Sequence, residues 1–585
     1  MTMSCREVSR DSTEDDSIHT DFTSHGHHME VWRQSLDIRH SLGQLSADRR
    51  SSSSMIQSRR EPRDLMLFVG KPAENERQTH YKGRLRMWPG LLLLLLVVGG
   101  AIAGITLGVK SSHEASRKRA IDVLSAERAR RAIDSGVEDS SSSLPIDRDP
   151  DDNQVGNPKT YVNQRTLVCL ILFSDTHVVV GCSMLNYVSK TGRVFAVLPN
   201  NTETQIDMKG INWFGMETGN AIPLGLWTNE NNGTTAYEIA TYLAANKFNV
   251  VRLPVCIAHI LADTAPRKGL VNLKENRAVD ISSYMAALES IIKALAYRNI
   301  GVLISLHTLT PQVSGGTWFD DSVGITKDKF LLSVDILTKA LCKSDYWNVV
   351  GLDLKNEPHT ATWANFSDGA ETIGNRMHAG CTNWLAFVEG TNIEKHSTVI
   401  GGVVTAYSDW WGGGLQGVKT KRVVLDLPNK VVYAPHYYNS GVYPQTYLYA
   451  PGGDELSDAD LRQRISETAT DMFGFIAADK KEALVLGEFA GLYATDAHRF
   501  KTTKRTTDFL IEVMLRDGYA GGFVWSLNPE SAYQYNPNGP GTWTEGLLKD
   551  DWRSSNTEFV QGMAALDKLP SLKALPCVHT TPSAP

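Results

Sequence analysis

Cysteine is scarce in this chain: seven residues in 585, spaced so that no two form a Cys-x-x-Cys pair. That spacing argues against a finger- or ribbon-type zinc site and a thioredoxin-type redox motif. An excess of charge of one sign is missing too, since the formal net charge is −6 with 21% charged residues. Such a balance offers no basic field to a phosphate backbone and leaves nucleic acid out as a partner. Apolar runs long enough to cross a bilayer are absent except at one place. At 585 residues the chain exceeds one ordinary domain, and its polar first third differs in composition from the rest.

The exceptional run is Leu91 to Val109, which opens with six leucines and meets no charge before Lys110. As a helix it would rise roughly 28 Å, close to the thickness of a hydrocarbon core, and Trp88 suits the interface. The long polar stretch ahead of it predicts a signal anchor rather than a cleaved signal peptide. Basic residues are balanced across the span, with Arg77, Lys82, Arg84 and Arg86 before it and Lys110, Arg117, Lys118 and Arg119 after it. The sequons at Asn200, Asn232 and Asn365 all follow it. They favour a cytosolic N-terminus and an extracellular or lumenal C-terminal part, a single-pass type II arrangement.

Residues 1–89 are expected to be a disordered cytosolic tail, in which His25, His27 and His28 are solvated. Residues 90–110 form the expected transmembrane helix and 111–204 a stalk or linker, where Lys118-Arg119 and Arg130-Arg131 are candidate sites for proteolytic release. Within the linker, Leu167 to Phe173 and Val178 to Val180 are apolar but too short to span. The catalytic domain is expected over 205–576, with a tail at 577–585. Cys342 and Cys381 either pair in an oxidising compartment or stay buried thiols.

From Asp207 onward, apolar strand-like runs alternate with amphipathic helical stretches, as in a parallel sheet wrapped by helices. Strands are predicted at Met208 to Trp213, Asn249 to Leu253, Ile300 to Leu306, Val349 to Leu354, Thr398 to Gly402, Val431 to Pro435, Ala483 to Leu486 and Gly521 to Val524. Helices are predicted at Tyr237 to Lys247, Ile281 to Tyr297, Lys327 to Cys342, Asp458 to Ala477 and Thr506 to Arg516. Eight such units define an α/β fold, a (β/α)8 TIM barrel, preceded here by the tail, the transmembrane helix and the stalk.

Residues just past these strands would gather at one end of a barrel, whatever their separation in sequence. They include Arg252, His307, Asn356 with Glu357, His436 with Tyr438, Glu488 and Trp525. An interior Arg and two interior Glu are costly without a purpose. Two carboxyl groups are also what glycoside hydrolysis with retention requires: one protonates the leaving oxygen and the other attacks the anomeric carbon. Flat apolar faces for a sugar ring are expected from Trp227, from Trp410 or Trp411, and from Trp525, with Gln445 as a hydrogen-bond partner.

Gly210-Ile211-Asn212-Trp213-Phe214-Gly215, Val251-Arg252-Leu253-Pro254, Asn356-Glu357-Pro358, Val442-Tyr443-Pro444-Gln445-Thr446, Leu486-Gly487-Glu488-Phe489 and Leu547-Leu548-Lys549-Asp550-Asp551-Trp552 resemble glycoside hydrolase family 5, the cellulase family. They are nearest to its bacterial-type endo-β-1,4-glucanases, over about Met208 to Trp552. The resemblance implies a TIM barrel, no metal and no cofactor, a β-glucan substrate, and retention. Carried over, Glu357 resembles the acid/base and Glu488 the nucleophile. Asn356 would hold the sugar's 2-hydroxyl, Arg252 and Tyr438 would touch Glu488, and His307 and His436 would line the floor. The acid/base must carry a proton near neutral pH, so the pKa of Glu357 is expected to be raised by its surroundings and by Glu488. No obligate protein partner is implied. Three readings stay open: an endo-β-1,4-glucanase, a β-mannanase or exo-β-glucanase on the same framework, and a catalytically silent glycan-binding barrel.

Overall fold

Eight short segments are buried on both faces, so they cannot lie on a surface and instead form an inner wall. In the computed structural model they are Met208–Asn212 (β1), Val250–Cys256 (β2), Gly301–Thr308 (β3), Val349–Asp353 (β4), Leu385–Val388 (β5), Val431–Tyr433 resuming as His436–Tyr438 (β6), Ala483–Leu484 resuming as Leu486–Ala490 (β7), and Gly521–Trp525 (β8). Every neighbouring pair is parallel. β6 meets β7 in both halves and β8 meets β1, so the sheet closes on itself. The structure describes residues 157–579, apart from 159, 162–164, 172–173, 496–501, 534 and 536–542, together with the backbone of Cys5–Glu7; for 165–171 and 174–180 it describes the backbone alone.

Helices cover the wall at Ala236–Ala245, Tyr284–Ala296, Lys327–Leu341, Trp363–Gly380, Asp458–Ala469 and Thr502–Asp517. Five of them start on a hydroxyl. Thr235, Ser283, Thr326, Thr362 and Ser457 each accept the N–H three residues on, which satisfies a donor the helix cannot. The helix expected over Asp458 to Ala477 passes through one π turn at Thr470–Gly474 before ending at Asp479.

The fifth strand is not at the predicted position, Thr398 to Gly402. Lys395–Ile400 pairs antiparallel with Val403–Ser408 in a surface hairpin, and Val399 and Val404 lie opposite each other and exposed. The wall strand is the four-residue run Leu385–Val388, whose side chains are all buried. β-branched residues suit a half-exposed hairpin as well as a core strand, and here the longer run went to the surface. The β5–β6 crossover therefore carries this hairpin and the 3-10 turn Gln416–Lys419 instead of an α-helix.

Ahead of β1, Asn186–Lys190, Arg193–Val197 and Glu203–Gln205 form a three-stranded antiparallel sheet. Leu185, Tyr187, Val194, Ala196 and Ile206 pack on the barrel's inward residues Leu303, Phe387, Val432 and Phe523. The N–H groups of Tyr187 and Ser189 bond the carbonyls of Asn383 and Asn429, which precede β5 and β6. This sheet closes the end of the barrel away from the strands' C-termini. The stretch read as linker up to residue 204 thus includes a folded cap from residue 181. The apolar stretches before it pair as an antiparallel hairpin, Arg165–Ile171 with Ser174–Val180.

Cys342 and Cys381 form a disulfide between the ends of two neighbouring helices, which settles their pairing. A second disulfide, Cys182–Cys577, joins positions 395 residues apart and has no signal in local spacing. Cys256 is a buried thiol. Among the described residues no helix is long and apolar enough to cross a membrane. Leu91 to Val109, the tail with its histidines apart from Cys5–Glu7, and the stalk up to residue 156 lie outside the described residues.

Candidate active site

The barrel brings together at the C-terminal end of its strands the residues the sequence analysis singled out there. Arg252, on β2, is wholly buried at the centre. Its guanidinium donates to Asp353 Oδ2 at 2.9 and 2.6 Å, Asn212 Oδ1 at 2.9 Å, Glu488 Oε1 at 2.6 Å, Asn356 Oδ1 at 2.8 Å and Glu389 Oε1 at 3.1 Å. Only a planar fork with five N–H groups can serve that many acceptors from one place. Burial by itself would lower its pKa, but Asp353, Glu488 and Glu389 outweigh this and hold it above its ordinary range.

Glu488, in the second half of β7, is buried and takes Arg252 on one oxygen and the Tyr438 hydroxyl on the other. Glu357 lies just past β4, with its backbone at φ 49°, a region non-glycine residues seldom occupy. One carboxylate oxygen of Glu357, one of Glu488 and a ring nitrogen of His436 all lie within 4.8 Å of one another. His436 Nδ1 is 3.2 Å from Glu357 Oε1 and 3.6 Å from Glu488 Oε2. Burial opposes charge on this ring, yet Glu389, Glu488 and the bond to Glu357 raise its pKa well above the usual histidine range. The ring is set between carboxylates that favour its charged form.

Three residues of this cluster were not singled out from sequence. Asn212 ends β1 and Asp353 ends β4, and both hold Arg252. Glu389 directly follows β5, is 0% exposed, and accepts the backbone N–H of Glu357 on Oε2 at 2.7 Å. Its Oε1 is 3.1 Å from His436 Nε2. The run Trp384-Leu385-Ala386-Phe387-Val388 ahead of it was the available signal, obscured by the longer hairpin strand downstream.

The aromatic candidates divide. Trp525, at the end of β8, stacks on Phe214 and lies nearly parallel to His307, at centroid distances of 5.4 and 6.1 Å, and its buried Nε1 has no protein partner. Trp411 stacks on His359 at 3.9 Å and 9°, and the backbone N–H of His359 bonds the Glu357 carbonyl. Trp410 is buried against Tyr437 and Tyr438. Trp227 corrects the expectation of an exposed platform: it is 1% exposed, edge-on to Trp552, and its Nε1 is held by Asn232 Oδ1 at 3.1 Å. Loop sequence implied exposure there, but packing between two loops claimed the ring. Gln445 is buried in the loop after β6, and among the described residues no hydrogen bond ties its side chain to either glutamate.

Two facing carboxyl groups, one clamped by Arg and Tyr and the other against a histidine ring, at the open end of a (β/α)8 barrel, are the equipment of a glycosidase. Residues 202–531 match the model of the cellulase family, glycosyl hydrolase family 5. The major extracellular endoglucanase of Xanthomonas campestris pv. campestris is 30% identical over 380 residues, 62% of this chain and 69% of that protein. An endoglucanase of Paenibacillus polymyxa is 26% identical over 59% of this chain and 79% of its own. Among solved structures, an endocellulase variant from Pyrococcus horikoshii in complex with cellotetraose superposes with a TM-score of 0.54 at 26% identity, covering 66% of this chain and 99% of that one. The chain belongs to glycosyl hydrolase family 5 and is an enzyme that hydrolyses O-glycosyl bonds.

Proposed function

We propose that the protein is a membrane-anchored endo-β-1,4-glucanase that cleaves cellulose-like chains with retention, by double displacement. Glu488 attacks the anomeric carbon while Glu357 protonates the departing oxygen. Glu357 then takes a proton from water, which releases the sugar from Glu488. The observation that carries this reading is that one oxygen of Glu357 and one of Glu488 lie within 4.8 Å of each other. Retaining enzymes hold the pair about 5–5.5 Å apart, whereas inverting ones leave about 6.5–9.5 Å for a water. The bonds from Arg252 and Tyr438, one on each oxygen of Glu488, suit the role of nucleophile by holding its carboxyl group in one orientation.

Endo action on a β-1,4-glucan is supported by the endoglucanase relatives and by cellotetraose in the Pyrococcus complex. Flat faces at Trp525 and at the Trp411–His359 pair suit the equatorial chain of such a glucan. In this reading Asn356, beside Glu357, receives the sugar's 2-hydroxyl. Anchoring by Leu91 to Val109 with the enzyme facing outward rests on that apolar run, and the two disulfides fit an oxidising compartment.

Glu357→Gln and Glu488→Gln should each lower release of reducing ends from a soluble cellulose derivative by roughly 10³-fold or more while sparing oligosaccharide binding. Proton NMR of a cello-oligosaccharide digest should show the β-anomer first. The α-anomer first, or full activity in either variant, would overturn the mechanism. For topology, a glycan-removing digest should increase the gel mobility of the native protein; no change would count against the outward assignment.

A further inference from the structure

Glu389 is a fully buried carboxylate that touches the backbone of Glu357 and two side chains bonded to Glu488 or Glu357, yet it has no part in the double displacement. Its two oxygens are engaged by three different groups. Oε2 accepts the N–H of Glu357 at 2.7 Å, and Oε1 lies 3.1 Å from both Arg252 Nη2 and His436 Nε2. The loop after the surface hairpin seals it. Gly390 donates to the Gly412 carbonyl at 2.7 Å, and a Cβ on Gly412, at φ +75°, would fall 2.4 Å from Glu389 Oε2 and 3.1 Å from the His436 ring. A carboxylate in so closed a place is not needed for packing, because apolar residues of similar volume often replace a buried ion pair at no cost in stability.

Resting on the reading of Glu357 as acid/base and Glu488 as nucleophile, we propose that Glu389 is a positioning residue for hydrolysis, acting in two ways. By accepting the Glu357 N–H it holds that backbone in the left-handed conformation that aims the acid/base. Its negative charge also keeps His436 doubly protonated between the two carboxyl groups.

The conformation at Glu357 needs such a holder. A non-glycine residue in that region costs about 1–3 kcal/mol and persists only where neighbours over-determine it. The charge argument depends on everything that faces Glu389: Arg252 from β2, Asp353 from β4, Glu357 from the loop after β4, and His436 from β6, with Glu488 on β7 one step behind Arg252 and His436. Burial, then Asp353, leave the Glu389 carboxyl raised to about 8 even against the downward pull of His436 and Arg252. Its charge, and with it the salt bridge to His436, is therefore lost as pH falls through that range.

Two substitutions separate the two roles. Glu389→Gln keeps the length and an oxygen for the Glu357 N–H but removes the charge. The alkaline limb of the kcat profile should move by about one unit, as His436 loses the negative neighbour that holds its second proton. Glu389→Asp keeps the charge but withdraws the oxygen by one methylene. It should leave that limb in place and lower kcat about tenfold or more, with KM changed less than about threefold. A Gln variant with the parent's pH profile and kcat would overturn the charge role, and a fully active Asp variant the holding role.

Should either variant fail to fold, the His436 ring in the unaltered enzyme decides the matter. With ring-labelled histidine, its signal identified by its loss in His436→Asn, the ring should be doubly protonated at about pH 8.5, where Glu389 is charged. A neutral ring there would overturn the proposal. Azide added to Glu488→Gly, acting on an aryl cellobioside, tests the underlying reading separately. Attack by azide from the vacated side should restore turnover and give the α-glycosyl azide. Without rescue the assignment of the pair fails, whatever the Glu389 variants do.

Discussion

Arg252 holds three carboxylates and two amide oxygens in a space closed to water, so its removal exposes what each of those groups costs when unpaired. Arg252→Met should lower stability by roughly 3–5 kcal/mol, since Asp353, Glu389 and Glu488 lose their shared cation. Arg252→Lys restores the charge but not the fork, and should recover part of the stability with little of the activity. Urea unfolding alongside kcat would separate the two; equal recovery of both by Lys would contradict the argument. The residues around Arg252 were legible to unequal degrees. Glu357, Glu488 and Arg252 stand in apolar runs where charge is conspicuous. Asn212 and Asp353 stand in such runs too, but as supports of another side chain they have no signature of their own. Trp227 misled because a glycine- and asparagine-rich loop can still fold back over a ring.

At the scale of elements, seven of the eight wall strands were readable as apolar runs with the right spacing, and the observed helices begin within four residues of the five predicted. The failure at β5 has a physical cause. Four residues give too little alternation to identify a strand, and the hairpin of Lys395–Ile400 and Val403–Ser408 has a stronger β pattern for reasons of its own. The consequence reached the site, because missing β5 meant missing Glu389. The disulfide between Cys342 and Cys381 clamps two helices on the outer ring, and its partners are 39 residues apart. Replacing both by Ser should reduce stability by about 2–4 kcal/mol through the freed unfolded chain. Because neither residue touches the site, kcat at 25 °C should be unchanged; a lowered kcat would mean the helices help to shape the cleft.

For the whole molecule, acid sensitivity has an identifiable contributor away from the cleft. His378 is buried beneath the Trp384 carbonyl, and burial lowers its pKa from 6.5 to about 4. Between those values the unfolded chain binds a proton that the folded one refuses, so stability rises with pH across this window. The contribution of the neutral ring is complete above pH 6.5 and is lost as the pH falls toward 4, amounting to at most about 3 kcal/mol. His378→Gln should flatten the fall in unfolding free energy over that range; an unchanged slope would assign acid sensitivity elsewhere. The cap over the barrel's base was the least legible part. Its strands are short and half-exposed, and what fixes them is contact with residues about 100 to 400 positions downstream.

The bond between Cys182 and Cys577 turns the barrel into a covalent ring. A protease that cuts the exposed turn at Gly452 and Gly453 opens the ring at one point and releases nothing. Nicked enzyme should migrate as one band without thiol and as two with it. It should stay active until reduced, like a hoop that has been cut once but is still riveted at the seam.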